Sequence, residues 1–225
     1  MSLASVIAVL TLPVLGAIGI GSLLLKRALA RPRVLLEEYA LAVAWVFVVG
    51  GMVWLGVFLS GGTLLGFGAP WTGLAAAHFV FAGGGALTVT ALCCRAVSRP
   101  GALRLLRGLL VVHPAAYLVT AAGISGYPYC DEIGAVTYEC LFVAQLGAFL
   151  VGRPELAVPV ARRLVVVALV VPVVTLVPGI AWAWGKPLLD LGDMVRYHGL
   201  VNAIGHVGLG VLAFVWGRPQ AHSAE

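Results

Sequence analysis

Seven stretches of this chain are long and apolar enough to cross a bilayer, and no other property limits its fold so strongly. They run over about 3–25, 39–60, 71–94, 108–125, 133–152, 164–185 and 195–216, each near the roughly 20 helical residues that a hydrocarbon core requires. Backbone N–H and C=O groups in lipid have to be satisfied within their own segment, so these spans are helices. Of the 225 residues, 61% are hydrophobic and 10% are charged, and the mean hydropathy is +1.06. Soluble domains carry about 25% charged residues, so an aqueous fold is excluded. The connections are short and leave no room for a soluble domain. The expected architecture is all-α: one polytopic bundle of seven transmembrane helices, a single domain over 1–225.

The basic residues give the orientation. Lys26, Arg27, Arg31 and Arg33 lie between spans one and two, Arg95, Arg99, Arg104 and Arg107 between three and four, and Arg153, Arg162 and Arg163 between five and six. Arg218 follows span seven, whereas the opposite loops hold only Lys186 and Arg196. Cytoplasmic loops collect Lys and Arg, which places the N-terminus outside and the C-terminus inside. The net charge of +5 is thus a topology signal and a contact for anionic lipid. Nucleic-acid binding would need these residues gathered on one aqueous surface, and they are scattered over short loops.

The first span lacks a basic segment before it and is too long for a secretory signal, so it is expected to stay as a helix. Cys93, Cys94, Cys130 and Cys140 show no Cys-x-x-Cys spacing, and imply neither a metal nor a redox pair. Turns are expected at Gly61-Gly62, Gly66 to Pro70, Pro100-Gly101, Gly126-Tyr127-Pro128 and Gly185-Lys186-Pro187. Pro114, Pro172 and Pro178 fall inside spans and should free carbonyls that neighbours have to satisfy. Gly83-Gly84-Gly85 should let another backbone approach closely. No internal repeat of the kind that builds duplicated transporters is evident.

Function is sought in the polar residues that these spans carry. His198, Asn202 and His206 are spaced by four in span seven, which keeps them on one face of an α-helix. Span three offers His78, span four His113 and Tyr117, and span five Glu139 and Gln145. Ionisable and amide groups in hydrocarbon face protein interior and mark function, so one shared central pocket is expected, with His78 pointing into it. Any of the histidines, or Asn202, can instead serve as a hydrogen bond between helices. Glu139 has no such packing advantage over Leu or Met; in low dielectric it stays protonated or pairs with a histidine, which makes it a proton donor. Asp190 and Asp193 precede span seven and suit helix capping, with Asp193 as the reserve acid.

Three segments together resemble the YndJ-like family of bacterial integral membrane proteins. They are His78-Phe79-Val80-Phe81-Ala82-Gly83, the lone Glu139, and His198-Gly199-Leu200-Val201-Asn202-Ala203-Ile204-Gly205, across roughly residues 65–216. Two positions depart from the family pattern: Val80 stands where a second histidine is usual, and His206 where an aromatic is usual. Small members of this kind resemble bacterial membrane-bound terpene cyclases, which implies an isomerase acting in the bacterial cytoplasmic membrane on an apolar prenylated chain. Cyclisation opens when an acid protonates an alkene or epoxide, runs through carbocations that aromatic faces stabilise, and ends when a base removes a proton.

On that resemblance Glu139 is the acid, helped by His198 and Asn202, and His78 orients it or acts as the terminal base. Phe79, Phe81, Tyr117, Trp45, His113 and His206 would line the substrate site. Neither metal nor other cofactor is implied, since the Asp-rich signatures of magnesium-dependent synthases are absent. Two rivals remain at this stage. An intramembrane zinc-dependent lipid hydrolase would draw ligands from His78, His113 and either His198 or His206. A proton-coupled transporter or binding protein would use the same groups as a relay.

Overall fold

The computed structural model describes residues 1–219, and seven helices within them are long and apolar enough to cross a membrane. They are α1 (Leu3–Leu29), α2 (Leu36–Ser60), α3 (Trp71–Ala96), α4 (Pro100–Ile124), α5 (Cys130–Val151), α6 (Pro159–Ala183) and α7 (Leu191–Gly217). The chain is therefore a multi-pass membrane protein. Five of the helices begin within about four residues of the position expected from hydropathy; α4 and α6 begin earlier. Pro100 and Pro159 each occupy the first helical turn, where the missing N–H would have no partner in any case. Pro100-Gly101 therefore opens a helix instead of making a turn, and Arg104, Arg107, Arg162 and Arg163 ride on helices.

The contacts divide the chain inside α3, between Thr88 and Val89, into two compact units. In the first unit α2 packs against both α1 and α3. Glycine makes the α2–α3 approach possible: a Cβ at Gly84 would stand 2.8 Å from the Ala44 carbonyl oxygen, and one at Gly51 would stand 3.0 Å from that of Ala76. The close approach expected at Gly83-Gly84-Gly85 is thus found. In the same stretch, Phe79–Gly85 adopts the wider π-helical hydrogen bonding, an arrangement most frequent at functional sites.

In the second unit α4 packs on α5, α5 on α6, and α6 on α7. Gly134 of α5 sits against the Thr120 side chain, with the Thr120 Cα 2.9 Å from where a Cβ would be. Gly134→Val should therefore lower stability by about 1–3 kcal/mol. The midpoint of unfolding in mixed detergent measures this, with Gly147→Ala as the neutral comparison because nothing lies within 4 Å of that position.

One end of this unit is cross-braced through its connections. The Gly152 carbonyl accepts from Ser98 N–H (3.2 Å) and Arg99 N–H (3.0 Å), Glu155 N–H donates to Ala96 O (2.8 Å), and Ala157 N–H to Gly217 O (2.6 Å). The segment after α5 thereby binds the ends of α3 and α7 together. At the opposite end, the backbone hydrogen bonds at Ser125–Cys130 and Trp184–Lys186 are all local.

Candidate functional site

The second unit's polar interior faces α6, where Pro172 supplies a free carbonyl. Pro172 has no N–H, so the carbonyl four residues earlier, that of Ala168, loses its helical donor. His206 Nδ1 stands 2.9 Å from that oxygen. His198 Nδ1 lies 2.8 Å from the carbonyl of Thr175, three residues before Pro178. A carbonyl oxygen only accepts, so Nδ1 carries the hydrogen in both rings, and in neutral His206 the lone pair is left on Nε2. Asn202 Nδ2 donates to Thr175 Oγ1 (2.6 Å) and to His198 O (2.7 Å). The expected stripe of three side chains thus shares one side, and that side meets α6.

The backbone that carries the stripe is not the regular α-helix that the spacing implied. Met194–Leu200 and Asn202–Gly208 are π-helical, so a separation of four falls short of a full turn there. Gly205 lies in this stretch, where a Cβ would come 3.1 Å from Val171. The small residue keeps α7 close enough to α6 for the histidines to reach its carbonyls.

Beside this seam runs a column of rings. Fully buried His113 meets the edge of Tyr138 at 5.2 Å, Tyr138 stacks on Phe142 at 5.8 Å, and Phe142 meets His206 at 5.2 Å in a T-shaped contact. Such arrangements contribute about 0.5–1.5 kcal/mol per pair beyond burial. Tyr138 Oη and His206 Nε2 in the column, and Glu139 Oε2, Gln145 Oε1 and Asn202 Oδ1 elsewhere in the second unit, are shielded from solvent and have no hydrogen-bond partner among the described residues. The Gln145 amide nitrogen is directed to Cys93 Sγ at 3.7 Å. Unmet buried groups of this kind cost about 1–3 kcal/mol each, and each calls for a partner that the described residues do not supply.

Glu139 lies near the middle of α5, next to Tyr138 and three residues from Phe142. On a helix that separation makes neighbours of the carboxyl and the Phe142 ring. Glu139 is half-buried, and among the described residues it makes no hydrogen bond or ion pair with His113, His198 or His206. The pairing of acid and imidazole expected from sequence is therefore absent among the described residues.

The remaining expected residues fall as follows. His78, in the first unit, is exposed and its Nδ1 lies 2.9 Å from the Leu74 carbonyl of its own helix, so it does not point inward as expected. A histidine one turn from a free lone pair on its own helix is satisfied locally, without a neighbour. Phe79 packs between Phe47 (6.1 Å) and Trp54 (6.4 Å), Phe81 is exposed, and Trp45 lies against Gly21 of α1; all belong to the first unit. Tyr117 is buried on α4, one turn from His113. Asp190 caps α7 by accepting from Asp193 N–H at 2.8 Å, and the Asp193 carboxylate stands 3.5 Å from Arg196. That places the reserve acid at the start of the helix, in an exposed ion pair.

Tyr138, Phe142 and Thr175 were not singled out from the sequence. Tyr138 and Phe142 are spaced by four and flank Glu139, which is a readable signal. Thr175 carried none, because nothing local says which hydroxyl will meet the stripe. A family model described as YndJ-like protein matches residues 2–206, a range that takes in the His78 segment, Glu139 and the whole polar stripe. No curated protein and no solved structure matches the chain.

Proposed function

The chain belongs to the YndJ-like protein family, and from that premise we propose that it is an integral membrane terpene cyclase, closing rings on a linear prenylated substrate by protonation and without loss of pyrophosphate. The observation that carries this reading is the Glu139 carboxyl, whose Oε2 is shielded and unpartnered, on a helix whose Tyr138 and Phe142 rings stack on each other. An acid held out of water next to aromatic faces is what proton-initiated carbocation chemistry needs. Glu139 gives its proton to a terminal alkene or epoxide. The resulting cation is attacked by the next double bond, forming a C–C bond and moving the charge along the chain past Tyr138, Phe142 and His113.

His206 Nε2 serves as the terminal base. Its Nδ1 is committed to Ala168 and its Nε2 lone pair is unpartnered. One proton enters and one leaves, so product and substrate have the same mass. His198 and Asn202 are assigned to the wall through Thr175, and His78 is not assigned the role of base. The arginine-rich end of the second unit is taken as the cytoplasmic face of a bacterial inner membrane. Among the described residues no three His, Cys, Asp or Glu side chains converge on one point, so their placement lends no support to the zinc hydrolase.

The test is direct. Full-length protein in detergent, given a geranylgeranylated aromatic and its terminal epoxide, should yield cyclic isomers of unchanged mass. Recovery of both substrates unreacted, with uptake of either by sealed proteoliposomes, would replace the cyclase by a transporter.

A further inference from the structure

We propose that the arginine-bearing end of the second unit holds a resident anionic phospholipid, bound in the groove between the end of α5 and the start of α6. The groove has a volume of about 710 Å³ and is lined by Leu150, Leu156, Val166 and Val167, with Arg162 and Arg163 among its walls. That volume lies within the roughly 300–1,000 Å³ of small-molecule sites. Its chemistry is divided: two guanidinium groups on the first turns of α6, and aliphatic side chains further along both helices. An anionic lipid is divided in the same way, with a phosphodiester at the interface and acyl chains below it.

Charge complementarity selects this occupant. Both arginines are exposed, and among the described residues neither has a carboxylate partner. Among the described residues the basic end of the unit carries Arg95, Arg99, Arg104, Arg107, Arg153, Arg162, Arg163 and Arg218 against the single carboxylate of Glu155. Glu155 is exposed and sits between the lining residues Pro154 and Leu156 without being part of the lining. Guanidinium forks match phosphate oxygens bidentately. The wall is also fixed in place, because Glu155 and Ala157 donate their N–H groups to Ala96 and Gly217. A zwitterionic lipid would bring its own ammonium to a surface already crowded with cations.

The experiment is native mass spectrometry of the full chain in detergent, titrated with phosphatidylglycerol or phosphatidylcholine. Wild type should retain phosphatidylglycerol in preference to phosphatidylcholine. Arg162→Gln/Arg163→Gln should bind it about thirtyfold more weakly, each charge contributing roughly fivefold. Val166→Trp keeps both charges but fills the groove, and should also lose the bound lipid. Glycerol phosphate at millimolar concentration should fail to displace it, since the chains contribute to binding. Equal retention of the two lipids by wild type, or undiminished phosphatidylglycerol on the double variant, would overturn the proposal, and so would displacement by glycerol phosphate. Unfolding midpoints in lipid-free detergent, expected to be equal for all three proteins, separate lost binding from lost fold.

Discussion

Glu139→Gln should reduce turnover of a prenylated substrate by about 10²–10⁴-fold, the usual contribution of a general acid. Glutamine keeps the size and shape of the side chain, so the stack of Tyr138 on Phe142 has no reason to move. What is lost is an acidic proton. KM should change little, because no hydrogen bond from Glu139 to another described residue is broken. Stability should stay level or rise slightly, since a carboxyl with a shielded, unpartnered oxygen contributes nothing to the fold. Single-turnover product analysis beside an unfolding curve gives both readouts, and cyclisation at the wild-type rate would remove Glu139 from the mechanism.

His206→Phe should cost about 1–3 kcal/mol of stability, by leaving the Ala168 carbonyl buried without a donor. The physical reason sits on the neighbouring helix. Pro172 removed that carbonyl's own donor, and His206 supplies the replacement at 2.9 Å. Pro172→Ala restores an N–H at the proper place in α6, so Pro172→Ala/His206→Phe should recover most of the lost stability. Cyclisation should not recover with it, because the double variant still lacks the Nε2 base. Stability and activity therefore separate in one pair of proteins. If the double variant regains both, His206 is a structural residue and the terminal base lies elsewhere.

Much of the fold was legible because the bilayer leaves so few options. Hydropathy alone placed seven spans, and the observed helices differ from them chiefly at Pro100 and Pro159, where a residue read as an interruption is a good first helical residue. Pro172 was legible as the source of a free carbonyl, yet the sequence could not say which donor would take it. That assignment depends on how α7 rotates against α6, and the rotation is altered by π-helical turns that glycine-rich stretches permit without announcing. His78 failed for a related reason. A histidine can satisfy itself on the carbonyl one turn back, and no spacing rule separates that outcome from one that faces the interior. Glu139 was legible as unusual, since a carboxylic acid in mid-span has few structural uses. The stacking of Tyr138 on Phe142, on either side of it in sequence, is a tertiary detail that spacing alone did not announce.

The lacing of Ala96–Arg99, Gly152–Ala157 and Gly217 bears on how a greasy guest gets in. Among the described residues the connections at the arginine-rich end of the second unit are hydrogen-bonded to other helices, while the backbone of the connections at the far end bonds only within itself. The laced connections should therefore hold their helix ends together as temperature rises, while the far turns are free to shift on their own. On the proposed cyclase reading, a long hydrocarbon would enter sideways, past the looser turns that hold Tyr127 and Trp184.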